Sequence, residues 1–347
     1  MNEFNSDAAA LFSAALSGST PVTVCAVVVT YNRKALLCEC LSALMRQTKR
    51  LDAIWLIDNS SPDDTAAELM RQGFIDTLPP EAITAPYEII KKHEESGTVL
   101  HYLRMDTNTG GTGGYYEGIR RAYESGFHWI WTMDDDVEPK LHALETLLSY
   151  SNMGECIQPS RVYTDGQVFQ DNKYIDLSTG KQKSLKGAVF AKHQTFSMKN
   201  FVSFEGLLIS RNIIKEIGYP DRRFYCWCDD FAYGLMASLY TNIVMVKEGL
   251  IIKKIKPGGG KVFLGRKSLR LRDNELYYMV RNQFIIFEYL KKLGTLSSFA
   301  YISLFATVLR LAVGTIVYER SPGKLLLLFK GFIDGLLKKY NNINYSP

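Results

Sequence analysis

The sequence predicts an α/β fold with a central, mostly parallel sheet, on three observations. Val22 to Val29 is an unbroken apolar, β-branched run, the pattern of a strand covered on both faces rather than on one. Such runs then alternate with stretches of helical period, a β-α-β-α opening. Each early strand gives way to a polar or glycine-rich motif, so the chemistry gathers at the carboxyl ends of the strands, where open sheets of this class bind ligands. At 347 residues, 46% hydrophobic and 22% charged, the chain can bury a large core as one domain, alone or with a substantial appendage.

The elements follow in order. The first strand ends in Thr30-Tyr31-Asn32-Arg33, and Lys34 to Gln47 repeats Leu37, Leu41 and Leu44 on one helical face. A second strand, Ala53 to Ile57, ends in Asp58-Asn59-Ser60-Ser61-Pro62-Asp63-Asp64, whose Ser and Asp residues open a helix from Thr65 to Arg71. Asp76 to Gly97 holds three prolines and reads as a polar surface excursion. Val99 to Arg104 is a third strand, and a helix reaching Ser125 follows Asn108-Thr109-Gly110-Gly111-Thr112-Gly113-Gly114-Tyr115. Phe127 to Trp131 is a further strand that runs out into Thr132-Met133-Asp134-Asp135-Asp136-Val137-Glu138-Pro139, before a helix from about Leu141 to Tyr150. Cys156 to Phe169, Ala188 to Phe196 and Phe201 to Ser210 are strand-like with polar connections, which makes the second half of the sheet mixed. A helix begins at Asp229-Asp230 and runs to about Tyr240. The tail from Glu275 to Lys339 is helical in pattern and apolar, above all over Phe299 to Val317, where Arg310 interrupts, and over Leu325 to Phe329. It reads as helices lying on a membrane surface rather than spanning it, with packed core helices as the alternative.

Several clusters carry chemistry. Three adjacent carboxylates repel one another unless a cation or hydrogen-bond donors hold them, and hard oxygen ligands suit Mg²⁺ or Mn²⁺; a solvated turn capping the next helix is the plainer alternative. Glycines beside a helix start let the backbone approach an anion, or merely turn tightly. Asp229 and Asp230 sit among aromatic residues, where lost solvation raises basicity and suits a general base; a helix N-cap pair is the alternative. Lys247 to Arg272 holds nine basic residues, one acid and the Gly258-Gly259-Gly260 hinge, and suits a diphosphate or anionic lipid. The net charge of +5 is too small for nucleic-acid binding, and the six cysteines, without a secretory signal, read as reduced thiols in the cytosol. The apolar stretch Ala8 to Leu16 accompanies Glu3 and Asp7 rather than a basic leader and reads as a loose helix.

In this order, Val27 to Arg33, Leu56 to Ser61, Asn108 to Gly114 and Asp134-Asp135-Asp136 resemble the family 2 glycosyltransferases with a GT-A fold. Phe204 to Ser210, Ile217-Gly218-Tyr219-Pro220 and Asp229-Asp230 look like the acceptor-side half of the same domain. The glycine stretch with a triple Asp, together with Tyr277-Tyr278, Arg281-Asn282 and Gly331 to Leu336, looks most like the bacterial rhamnosyltransferase and galactofuranosyltransferase branch. The chain thus divides into a tail over 1–20, a catalytic domain over 21–255 that the resemblance covers (donor half to about 150, acceptor half beyond), a basic loop over 256–274 and a membrane-associating or oligomerising helical region over 275–347. It implies that Thr30, Tyr31, Arg33 and Asp58 hold the nucleotide, Asp58 by accepting from its base, and that Gly110, Gly111, Gly113 and Gly114 pass near the sugar diphosphate. Asp134 and Asp135 would face the donor, Asp134 and Asp136 a divalent metal, Mn²⁺ or Mg²⁺. Asp230, or its neighbour Asp229, would take the acceptor proton in an inverting displacement, with Trp227, Glu205 and Arg281 on the acceptor side. The implied donor is UDP-galactofuranose or dTDP-rhamnose, and the implied acceptor a glycan or polyprenyl-linked sugar at the inner face of the cell membrane, with a homo-oligomer possible. Two positions depart from the pattern. No histidine follows His193, so Ile251-Ile252-Lys253-Lys254 stands where a third metal ligand is often found, and Ala232 stands where an acid often follows the base. A nucleotidyltransferase and a non-catalytic nucleotide-sugar-binding module remain the competing readings.

Overall fold

The computed structural model describes residues 22–169, 173–184, 194–256, 262–263, 266–267, 273–319 and 321–340. The N-terminal tail over 1–20, residues 188–193 of one expected strand and the Gly258-Gly259-Gly260 hinge, with most of the basic loop, lie outside these residues.

Four parallel strands form the centre: β1 (Val24–Thr30), β2 (Ala53–Asp58), β4 (Val99–Arg104) and β5 (Trp129–Asp134), with β1 between β2 and β5. Every residue of β1 is buried, as the unbroken β-branched run requires. Its alternate residues face opposite layers. Val24, Ala26 and Val28 meet helix α1 (Lys34–Met45) through Leu37, Leu41 and Leu44, while Cys25, Val27 and Val29 meet α3 (Gly110–Glu124) through Tyr115 and Ile119. Each of those fully buried leucines contributes about 1.5–3 kcal/mol of hydrophobic stabilisation. The short helix α2 (Thr65–Arg71) follows β2 with the bounds its sequence predicts.

The second half is mixed, as expected. The ten-stranded sheet continues from β5 through antiparallel β11 (Leu208–Ser210) to β7 (Cys156–Tyr163), then through the long β12 (Ile243–Lys253) to β10 (Phe196–Lys199), and the short β6 (Val137–Pro139) also pairs with β12, while β8 (Lys173–Ile175) and β9 (Gln182–Ser184) form a separate antiparallel pair. Two expectations are corrected. The stretch from Asp76 to Gly97 contains β3 (Tyr87–Lys92), an antiparallel edge strand whose Lys91 and Lys92 hid it from a hydrophobic pattern and are the charges that keep an open edge from pairing further. The strand expected over Phe201 to Ser210 keeps only its last three residues, because Gly206 turns the chain at φ +93°.

Helices α4 (Ala143–Leu148), α5 (Arg211–Ile217) and α6 (Asp229–Ala237) complete this part, and α7 (Asp273–Lys292), α8 (Phe299–Gly314) and α9 (Pro322–Leu336) form the C-terminal region. Helix α7 packs in two directions. Ile285, Ile286 and Leu290 meet Phe224, Cys228 and Leu235, while Leu276, Val280, Phe284 and Phe287 meet α8 and α9. Phe299 to Val317, 19 residues with mean hydropathy 1.8, is long and apolar enough to cross a membrane by length and composition. Its outer face is bare: Phe299, Ile302, Phe305, Leu309 and Val313 of α8 and Leu326, Ile333 and Leu336 of α9 are exposed.

Candidate functional site

The ends of β5, β1 and β2 lie side by side, with Asp134 opposite Val29 and Thr30 opposite Asp58. The three aspartates therefore sit on the rim of the sheet, but they are not equivalent. Asp134 ends β5, while Asp135 and Asp136 form the turn that follows it, and their hydrogen bonds set them apart. Asp135 points inward: its Oδ2 accepts from Thr30 Oγ1 at 2.8 Å and from the Tyr31 N–H at 3.3 Å, and its Oδ1 accepts from Arg33 Nη1 at 3.0 Å. It is 4% exposed and locks the turn after β1. Asp134 accepts from the Tyr115 hydroxyl, and Asp136 Oδ2 accepts from Arg33 Nη1 at 2.8 Å. The other oxygen of Asp136, Oδ1, is buried and has no hydrogen-bond partner. Burial, with Glu205 and Asp136 nearby, raises the Asp134 carboxyl to about 8. The capping alternative fails, because His142 occupies the N-cap of α4 and no side chain bonds there.

Asp58 turns out differently from its expected role. It is fully buried; Tyr102 Oη and Arg104 Nη1, both at 2.7 Å, donate to its Oδ2, and the Ser61 N–H at 2.8 Å donates to its Oδ1. Both oxygens are thus engaged within the protein, and neither is presented to a nucleotide base. Its neighbour Asn59, a residue the motif reading passed over, makes the longer connection: its Nδ2 donates to Asn108 Oδ1 and to the Gly110 carbonyl, and its Oδ1 accepts from the Thr109 N–H at 2.9 Å.

The glycines form the first turns of α3 rather than a loop before it, and most of them serve close packing. A Cβ on Gly114 would lie 2.5 Å from Val29 Cγ1, and one on Gly113 would lie 2.3 Å from Thr109 Oγ1. At Gly110, where φ is +74°, a Cβ would meet the Tyr225 carbonyl oxygen at 2.2 Å. Only Gly111 of the four faces open space. A cleft of about 300 Å³ lined by Asp106, Thr109, Gly113, Tyr116, Glu117 and Arg222 runs along the outer side of this helix.

The third component is the segment from Arg223 to Asp230. Tyr225, Trp227 and Cys228 all have φ between 65° and 68° without being glycine, and such residues cost on the order of 1–3 kcal/mol each. Strain of this kind persists only where neighbours impose it. Asp229 Oδ2 accepts from Thr112 Oγ1 at 2.8 Å, and the Thr112 N–H donates to the Tyr225 carbonyl at 3.0 Å, so the glycine helix and this segment hold each other. Burial raises the Asp229 carboxyl above its ordinary value, and the bond from Thr112 only partly offsets that. Asp230 Oδ1 accepts from the Phe231 N–H at 2.8 Å, in the first turn of α6. The N-cap is Cys228, so the aspartates are not the cap pair of the plainer reading.

Two residues expected on the acceptor side are placed otherwise. Arg281 is fully buried and donates to the Phe224 carbonyl at 3.0 Å, so it braces the strained segment from behind and offers no surface to an acceptor. Glu205 joins two cations: its Oε2 accepts from Arg161 Nη1 at 2.5 Å, and its Oε1 from Lys253 Nζ. Burial alone would raise this carboxyl, but Arg161 and Lys253 outweigh burial and bring it down to about 2. Lys253 pairs in register with Val137, and the next N–H, of Lys254, donates to the Asp136 carbonyl, so this lysine lies beside the Asp triplet at the position where a histidine was sought. Thr112 and Tyr115 escaped the sequence reading as site residues, and Lys253 was noted only as standing where a histidine was sought, since their partners lie on other elements.

Residues 25–72 and 85–218, more than half of the chain, match Glycosyl transferase family 2. The chain belongs to this family. Among family 2 relatives, galactofuranosyltransferase GlfT1 of Mycobacterium tuberculosis is 30% identical over 219 residues, covering 60% of this chain and 62% of that protein. The GlfT1 of Mycolicibacterium smegmatis is 35% identical over 127 residues, 36% of this chain and 34% of that protein. The chain thus spans less than two thirds of the curated relatives it matches. Among solved structures, S. aureus TarS in complex with UDP-GlcNAc superposes with a TM-score of 0.51 at 12% identity, over 92% of this chain and 83% of that one. GalNAc-T7 with UDP, GalNAc and Mn²⁺ gives 0.52 at 15% identity, over 75% and 47%. These likenesses establish the GT-A fold.

Proposed function

We propose that this family 2 chain is an inverting glycosyltransferase that moves galactofuranose from a nucleoside diphosphate to a hydroxyl of a bacterial surface glycan. The single observation that carries the reading is the meeting of two acidic groups across one rim, Asp134 and Asp136 at the end of β5 and Asp229 and Asp230 at the start of α6, joined through the glycine helix by Tyr115 and Thr112. The two galactofuranosyltransferase relatives support that sugar over rhamnose.

The donor set fits a divalent cation of the Mg²⁺ or Mn²⁺ type. Asp134 ends β5 with Asp136 two residues on, one oxygen of Asp136 is buried without a partner, and Mg²⁺ is usually held by one or two carboxylates with phosphates and water completing its shell. Among the described residues no group of three His, Cys, Asp or Glu side chains completes a protein-only site. Asp134 and Asp136 would hold the ion, which supplies charge neutralisation for the departing diphosphate. The protein's own residues do the rest. Arg33, bridging Asp135 and Asp136, ties the triplet to the turn after β1. Gly111 leaves room for the donor to approach the backbone. Asp230 accepts the proton of the acceptor hydroxyl, and Asp229, fixed by Thr112, orients the turn that carries it. Trp227 offers an aromatic face to the acceptor sugar. The reaction is a single displacement with inversion at the anomeric carbon.

The same reading places the protein peripherally on the inner face of the membrane, where a polyprenyl-linked acceptor would be presented. The bare apolar faces of α8 and α9, with Arg310, Lys324, Lys330, Lys338 and Lys339 on the same helices or just beyond them, support it. A thermal-shift screen of nucleotide sugars with Mn²⁺ present tests the donor. UDP-galactofuranose should give the largest stabilisation, and equal shifts for all nucleotides with no transfer would replace the enzyme by a non-catalytic binding module.

A further inference from the structure

The strained segment is clamped from one side by a single helix. Asn282 of α7 is fully buried, and its Nδ2 lies 2.9 Å from the Phe224 carbonyl oxygen, 2.7 Å from that of Cys226 and 2.8 Å from that of Trp227. One amide nitrogen with two protons therefore serves three consecutive-turn carbonyls, which are brought together only because Tyr225, Trp227 and Cys228 are left-handed. Arg281 orients that amide. Its Nε and Nη2 donate to Asn282 Oδ1 at 3.0 and 2.8 Å, which fixes the amide so that its nitrogen faces the segment, and Nη2 also donates to the Phe224 carbonyl. Tyr278, one turn earlier, stacks on Tyr225 with ring centroids 4.8 Å apart. On the opposite side the Thr112 N–H holds the Tyr225 carbonyl. The segment so gripped ends in Trp227, Asp229 and Asp230.

We propose that Asn282, oriented by Arg281, is a positioning residue for sugar transfer: it imposes the left-handed backbone of 225–228 and thereby aims Trp227 and Asp230 at the acceptor, without touching donor or acceptor itself. The inference rests on the transferase reading above. Its geometry also explains why an arginine in the C-terminal region lies buried against a segment more than fifty positions earlier in the chain. A residue that acts only through orientation has a particular signature. It lowers the rate of the chemical step and leaves nucleotide binding alone, since Thr30, Arg33 and the Asp triplet stand at or just beyond the ends of β1 and β5, outside the segment that Asn282 holds.

The test is Asn282→Leu in the full chain, which keeps the volume and removes the donors. Misplacing a catalytic group by about 1 Å costs about a hundredfold. The kcat for transfer from UDP-galactofuranose to a polyprenyl-linked glycan acceptor should fall by about that factor, while the Kd for UDP with Mn²⁺ stays within about twofold. Acrylamide quenching of tryptophan fluorescence gives a second readout that needs no substrate. Trp55, Trp129 and Trp131 are buried, so quenching reports chiefly on Trp227, and it should increase in the variant. Adding Cys228→Gly, which makes the left-handed conformation easy for that residue, should restore at least about tenfold of the lost kcat. A folded Asn282→Leu protein with wild-type kcat and quenching overturns the proposal. Loss of UDP affinity in proportion to rate, without rescue by glycine, also overturns it in favour of a merely structural role. Should Asn282→Leu fail to fold, Asn282→Ser keeps one donor and carries the same test with a smaller loss. Were the wild-type chain to transfer no sugar at all, the quenching comparison would still decide the clamp, so the two failures can be told apart.

Discussion

Replacing Glu205 with glutamine should destabilise the protein by about 3 kcal/mol at neutral pH. The side chains of Arg161, Lys253 and Glu205 are only 4%, 12% and 16% exposed, and the one carboxylate serves both cations. Its lowering from 4.5 to about 2 corresponds to about 3 kcal/mol of preference for the charged form in the folded state. That agrees with the 3–5 kcal/mol typical of breaking a buried ion pair from one side; the amide oxygen retained by glutamine argues for the lower end. Because the folded value lies below the unfolded one, this stability is fully present above about pH 4.5 and is lost as pH falls toward 2. With a urea slope of about 3 kcal/mol per molar for a chain of this size, the midpoint should drop by about 1 M at pH 7. The gap between wild type and variant should narrow on acidification. Urea titrations followed by circular dichroism at pH 7, 4 and 3 measure both effects. A midpoint difference below about 0.3 M at pH 7, or one that does not shrink in acid, would refute the assignment of the ion triad. The same change should lower the Asp134 carboxyl from about 8, since the Glu205 charge is the largest neighbouring charge raising it.

Three further outcomes are expected. Asp134→Ala and Asp136→Ala should each abolish transfer and the Mn²⁺-dependent part of UDP binding measured calorimetrically, whereas Asp135→Asn should mainly lower the melting temperature, because Asp135 is tied to Thr30, Tyr31 and Arg33. Asp230→Asn should slow transfer by about two to four orders of magnitude with UDP binding intact; if Asp229→Asn does this and Asp230→Asn does not, the proton acceptor is the residue held by Thr112. The full-length chain should sediment with vesicles containing anionic lipid, be released by high salt, and lose that binding on Phe305→Asp with Leu326→Asp, two exposed positions outside the site. Binding unchanged by either perturbation would rule out the membrane face.

Much of this architecture is legible in the residues because period and polarity act locally. The β1 run, the Leu37-Leu41-Leu44 stripe and the strand Val99–Arg104 declare themselves within a few positions. What was not legible depends on distant partners. Asp58 looks like a ligand contact until Tyr102 and Arg104 on the neighbouring strand are seen to occupy it. The glycines look like an anion loop until Val29 and Tyr225 are found against them. Glu205 needs Arg161 and Lys253, and Asn282 needs three carbonyls of another segment. A carboxylate's role is set by which donors reach it first, and only the tertiary fold decides that.

The grip of α7 on the segment 224–228 also orders events during synthesis. A ribosome delivers the chain from its N-terminus, so β1, β2, β4, β5 and the glycine helix can assemble while α7 has not yet been made. The left-handed turn carrying Trp227 has no reason to persist until Asn282 arrives 55 residues later, a delay of roughly three to ten seconds at ordinary elongation rates. The half that would face the nucleotide is therefore built first, and the half that would receive the acceptor closes only when the C-terminal helices fold. A chain cut short before α7 would leave a nucleotide-side pocket with no working partner. Helix α7 is for this reason part of the site and not of a detachable anchor, and a truncation made to gain solubility would have to keep Asn282 for the site to be finished.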